Sequence, residues 1–177
     1  MQRGFTLIEL VVVLTIVAIL AGIALPRFVN LQREARIGHL QGVRGSFVSG
    51  ATLVHAAVLA RRGMPDSTAC PAGKGVTADN QLSGPGSACT EGGLVQTIHG
   101  YPAANAQGIV SAAGLGTAFN PSASDLALDG YHVLSLGTST IVQRADAADP
   151  TMCSFSYTEP PQTWTAPTYS PLATTGC

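Results

Sequence analysis

The feature that most constrains this chain is the run FTLIELVVVLTIVAILAGIAL, residues 5–25, which is apolar almost throughout yet holds Glu9. As a helix it would span about 31 Å, close to the hydrocarbon thickness of a bilayer. A carboxylate in such a helix costs about 3 kcal/mol on insertion scales, so Glu9 demands a reason. A cleaved secretory signal is one reading, with Met1-Gln2-Arg3 as the charged start and Gly22-Ile23-Ala24 as a small-x-small site. The run is long for that role, and Glu9 lies inside it. A plain membrane anchor is another, and it leaves Glu9 unexplained. The third reading supposes a cut between Gly4 and Phe5. A new α-amino group then stands four residues from Glu9. In a low dielectric the two charges attract strongly and are costly if left unpaired. Glu9 would meet an amine of its own chain or a neighbour's and set the register of packed helices, as one buried polar residue does in a coiled coil.

Charge and cysteines divide the remainder. Residues 27–62 carry six Arg (Arg27, Arg33, Arg36, Arg44, Arg61, Arg62) against Glu34, a net of +5. Residues 63–177 carry Lys74 and Arg144 against eight acids, a net of −6. Two such regions have different jobs. All four cysteines (Cys70, Cys89, Cys153, Cys177) follow the apolar run, and no C-x-x-C pair points to zinc or dithiol chemistry. An even count in Gly/Pro-rich chain suits disulfides and places the C-terminal part outside the cytoplasm. The Arg-rich side is then also outside, against the positive-inside rule for a simple anchor. Of three possible pairings, Cys70–Cys89 with Cys153–Cys177 is preferred, because each closes a short loop.

The motif Arg3-Gly4-Phe5-Thr6-Leu7-Ile8-Glu9-Leu10, followed by the apolar run, resembles the class III signal of type IV prepilins and pseudopilins. The stretch PRFVNLQREARIGHLQGVRGSF is similar to pilins of the mannose-sensitive haemagglutinin type. The resemblance is strong to about residue 62 and beyond it keeps only a general plan. It implies a leader at 1–4, cleavage after Gly4 by a prepilin peptidase, N-methylation of Phe5, and the register role for Glu9. It also implies a type IV pilin fold. In that fold a long N-terminal helix packs on a small antiparallel sheet, and a disulfide-closed C-terminal loop, the D-region, covers residues 153–177.

The residues themselves support an α+β chain. Residues 5–25 are the apolar first part of the helix, and 26–62 its amphipathic continuation. There Leu40, Val43, Phe47, Ala51, Val54 and Val58 recur at steps of three and four as one stripe. Gly63 and Pro65 end it. A continuous helix over 5–62 would be roughly 87 Å long. Pro26 cannot donate to the Gly22 carbonyl, so residues 22–26 are the expected place for a kink or unwinding. Several pilins lose helix near the matching proline when packed in filaments, and the resemblance extends this expectation to Gly22 and Pro26. Gly38, Gly42, Gly45 and Gly50 also weaken the helix, and they suit either close helix approach or packing against the head's own sheet.

The head begins at residue 63. Residues 63–93 read as a loop stapled to itself, and 94–157 as mainly sheet. Strands are expected at Leu94–His99, Tyr131–Leu136, Thr140–Arg144 and Met152–Tyr157, with a short helix somewhere in Ala103–Leu115. Together the strands suggest one antiparallel meander across the helix stripe. The segment between Cys153 and Cys177 holds four prolines and reads as irregular. Within it Tyr157, Trp164 and Tyr169 are candidates for contact with ligands or neighbouring subunits, against the alternative that they pack on the loop's own core.

No nucleophile elbow, zinc-protease, P-loop or dinucleotide motif is present in the sequence. His39, His55, His99 and His132 are scattered. Asp125 with Asp129, or Asp146 with Asp149, are candidates for calcium, though neither pair has EF-hand spacing. The acidic head would repel phosphate, which disfavours direct nucleic-acid binding. The expectation is a structural protein without cofactor or catalytic residues. It would be made in the inner membrane with its head in the periplasm, cleaved and methylated by a prepilin peptidase, then drawn by the pilus assembly platform into a homopolymeric surface filament for adhesion or motility. A type II secretion pseudopilin or minor pilin is the close alternative. A membrane-anchored binding module that never polymerises is the alternative of another class.

Overall fold

The computed structural model describes residues 5–70 and 75–177, which form an α+β chain. Helix α1 covers Leu7–Ala60. Its start is set by Thr6, whose Oγ1 accepts the Glu9 N–H at 3.3 Å. Its end is set by Arg62 and Gly63, both at positive φ. The chain divides into two compact units, Met1–Arg36 and Ile37–Cys177. The first described unit is helix alone, and its side chains are nearly all exposed. Helical structure continues through Gly22 and Pro26, so the break expected at 22–26 does not interrupt α1 in the isolated chain.

The second unit contains the head. The predicted stripe is its spine: Leu40, Phe47, Ala51, Val54 and Val58 are buried, and Val43 is half-buried against them. The head is not one meander but two sheets. Strands β1 (Pro85–Cys89), β2 (Leu94–Ile98) and β3 (Tyr101–Pro102) form an antiparallel sheet in that order. Strands β4 (Tyr131–Leu136), β5 (Ser139–Arg144), β6 (Ser154–Thr158) and β7 (Thr168–Tyr169) form the second. The two share out the helix stripe. Val54 and Val58 pack with Ala88 of β1 and Val95 of β2. Leu40, Phe47 and Ala51 pack with Val142 of β5 and Phe155 and Tyr157 of β6. The Phe47 ring stands edge-on to Phe155, 5.3 Å between centroids at 84°, a favourable aromatic geometry.

Three elements depart from the sequence reading. The loop expected at 63–93 contains β1. Its sequence PGSAC has little strand propensity, and it is a strand because its whole length pairs with β2. The short helix within 103–115 is a π-helical turn, Ala106–Val110, whose Asn105 side chain accepts the Gly108 N–H. The supposedly irregular C-terminal segment donates β7 to the second sheet, and Ser154 bridges to Ala173. A further helix, α2 (Ala123–Leu128), is started by a capping box between Ser122 and Asp125.

All four cysteines are bridged, Cys70 to Cys89 and Cys153 to Cys177. The second bridge lies in the main core beside Phe155 and Tyr157. The first loop is held to the end of α1 by Asn80. This residue is fully buried, donates to the Met64 carbonyl at 2.9 Å and to Asp66 at 2.8 Å, and accepts from Arg61 at 3.2 Å.

Candidate functional site

Two surfaces bear on function: the N-terminal part of α1 and the loop closed by Cys153–Cys177. On the first, Phe5, Leu7, Ile8, Leu10, Leu14, Leu20, Leu25, Phe28 and Leu31 are exposed. The segment is long and apolar enough to cross a membrane, and nothing within its own unit covers it. Glu9 is exposed among them. Its side chain makes no hydrogen bond or ion pair among the described residues. The structure adds a local feature that the sequence reading did not weigh. With Thr6 as cap, Glu9 occupies the third helical position, where a carboxylate faces the positive end of the helix dipole. The spacing Thr6-x-x-Glu9 was the available signal. Gly4, the expected cleavage site, lies outside the described residues, as does the rest of the leader.

The glycines of the second unit fall into two groups. A Cβ built on Gly50 would stand 2.5 Å from the Ala112 carbonyl oxygen, so this glycine lets the turn after Val110 lie directly on α1. Gly38, Gly42 and Gly45 meet nothing within 4 Å. Packing within the head therefore accounts for Gly50, though against this turn and not a sheet, and it does not account for the other three.

In the C-terminal loop the three candidate aromatics part company. Tyr157 is fully buried and its hydroxyl donates to the Pro102 carbonyl at 2.6 Å, so it is a core residue and not a contact residue. Its phenol is raised well above the usual range, by burial first and then by Tyr169, Glu159 and Tyr101. Tyr169 is half-buried against Tyr157, with 5.5 Å between ring centroids, and the Arg44 guanidinium lies 5.9 Å over its ring. Burial pushes the Tyr169 phenol up to about 12, Tyr101 adds to the rise, and Arg44 opposes it. Arg44 also donates to the Ser170 carbonyl at 3.2 Å, which ties α1 to this loop. By sequence Arg44 is one of a cluster of six arginines, and its tie to this loop is visible only in the fold. Trp164 alone of the three is free of the core. It is 79% exposed and sits in the left-handed backbone region.

Three of the four candidate aspartates are engaged in local structure through their side chains. Asp125 accepts from Ser122, which holds its carboxyl below the usual range, and Asp149 is lowered likewise by Thr151. Asp146 pairs with Arg144 at 2.7 Å. No group of three or more His, Cys, Asp or Glu side chains suited to a metal occurs among the described residues. His55 stacks on Tyr101 with 3.7 Å between ring centroids, a packing role.

Residues 1–25 match the model of the prokaryotic N-terminal methylation motif. No curated protein and no solved structure matches the chain. The motif, the uncovered apolar helix behind it and the disulfide-bonded head agree with one another. The chain carries the N-terminal methylation signal of type IV pilin-like and pseudopilin precursors, followed by a helix long and apolar enough to cross a membrane.

Proposed function

We propose that the chain is the major subunit of a type IV pilus, of the kind typified by the mannose-sensitive haemagglutinin pilins. It is cleaved after Gly4, methylated at Phe5 and polymerised into a surface filament that serves adhesion or motility. The observation that carries this reading is Glu9, exposed and without a partner among the described residues, in an apolar helix that carries a methylation motif. In a lone membrane anchor that carboxylate serves only the start of its own helix, whereas a bundle of such helices also gains a register from its pairing with a neighbour's Phe5 amine. Burial of the apolar face drives the bundling in this reading. Gly38, Gly42 and Gly45, facing open space on α1, leave room for a neighbouring helix to approach.

Shearing cells that express the protein, and taking the mass of its N-terminal peptide, tests the proposal. Abundant filaments whose subunit begins at methylated Phe5 support it. A processed subunit found only in trace amounts, or only inside the envelope, points to a minor pilin or pseudopilin. A chain found only in membranes and starting at Met1 or after Ala24 removes the polymer altogether.

A further inference from the structure

The ring of His99 stands where the two disulfide-closed loops meet. From the first loop, the Gly84 N–H donates to His99 Nδ1 at 3.0 Å. From the second, Thr163 Oγ1 lies 3.1 Å from the same nitrogen. The His99 backbone, at φ 52°, is in the left-handed region that a histidine adopts uncommonly, and its own N–H donates to the Gly84 carbonyl at 2.8 Å. A backbone N–H can only donate. The Gly84 contact therefore requires a lone pair on Nδ1, and the neutral ring carries its proton on Nε2.

We propose that His99 is a proton-operated latch between the two loops. In the neutral ring, Nδ1 accepts from both Gly84 and Thr163. A proton added to Nδ1 makes that nitrogen a donor. It then gives its hydrogen to Thr163 Oγ1, reversing that bond, and faces the Gly84 N–H with a like dipole. Acid thus shifts the grip from both loops to the C-terminal one alone. The start of β1 is left held by the backbone bond from His99 N–H to the Gly84 carbonyl.

Three other titratable groups described on the elements around the ring are already engaged. Glu159, in the C-terminal loop, accepts the Ala104 N–H at 2.7 Å. Asp79, in the first loop, accepts the Ser87 N–H at 2.7 Å. His55, on α1, has Nδ1 3.1 Å from the Gly100 carbonyl and stacks on Tyr101. None of these bonds involves Gly84 or Thr163, so His99 is the group whose charge acts on both loops.

The test follows the Gly84 amide and the His99 ring by NMR in the full chain, labelled at glycine and histidine and held in detergent micelles, from about pH 8 to about pH 5. The latch requires the Gly84 amide proton to move upfield with the same midpoint as the His99 ring. Its protection against exchange should fall roughly five- to tenfold, the worth of one neutral hydrogen bond. His99→Asn offers an uncharged acceptor and tolerates the left-handed backbone, so in that variant the Gly84 signal should stay fixed across the range. A wild-type Gly84 signal that ignores the His99 titration overturns the proposal without any variant. An unchanged Gly84 transition in His99→Asn overturns it too, and passes the effect to His55.

Discussion

Gly50 and Ala112 lie so close that a methyl group on Gly50 would stand 2.5 Å from the Ala112 carbonyl oxygen. Backbone cannot retreat from such a contact as a flexible side chain can. Gly50→Ala should therefore destabilise the head, with overpacking of about 1–3 kcal/mol outweighing the helix-propensity gain of about 1 kcal/mol. Gly42→Ala meets open space and should stabilise the isolated subunit by up to about 1 kcal/mol. Urea unfolding of the two variants in detergent, followed by near-ultraviolet circular dichroism, gives opposite signs. Equal effects would mean that the turn after Val110 does not rest on α1.

Glu9 has two roles to separate, a local one at the start of α1 and an intermolecular one in assembly. Glu9→Ala or Glu9→Val should leave membrane insertion intact and cut the yield of sheared filaments severely. Glu9→Gln keeps a side chain that can accept at the helix start but removes the charge, and it should also assemble poorly. Normal piliation in all three variants would refute the register role.

Tyr157 and Tyr169 make the head sensitive to alkali. Burial is the chief cause of both raised phenols, so the folded chain holds these protons more tightly than the unfolded chain. Between the ordinary tyrosine value near 10 and about 12, the value for Tyr169, the folded state binds more protons, and stability falls as pH rises through that window. Thermal melts at rising pH should show the loss, and Tyr169→Phe should lessen it. Tyr157→Phe strands the Pro102 carbonyl in the core and should cost about 1–3 kcal/mol at neutral pH.

The two disulfides differ at one cysteine. Cys70, Cys153 and Cys177 are buried, the last two in the main core, while Cys89 is only half-buried. Removing the Cys153–Cys177 bridge with paired alanines should cost about 3 kcal/mol or more, since the loop constraint and core packing go together. The Cys70–Cys89 bridge should be reduced first by a mild thiol. Mass spectrometry of alkylated peptides during reduction reads the order directly.

Much of this protein follows from its sequence alone, because the deciding signals are local. The methylation motif, the apolar run and its lone Glu9 occupy adjacent residues. The stripe from Leu40 to Val58 follows helical periodicity, and β4 is bounded as its β-branched and aromatic residues suggest. Only the tertiary structure decided the rest. Strand β1 exists through its partner β2, and β7 through its partner β6, with Cys177 bridged back to Cys153. Tyr157 and Trp164 sit seven residues apart in similar Thr/Pro-rich surroundings, yet one is fully buried and the other 79% exposed. Sequence composition treats them alike. What separates them is that Tyr157 on β6 faces Phe47 on α1, a contact formed by residues more than a hundred positions apart.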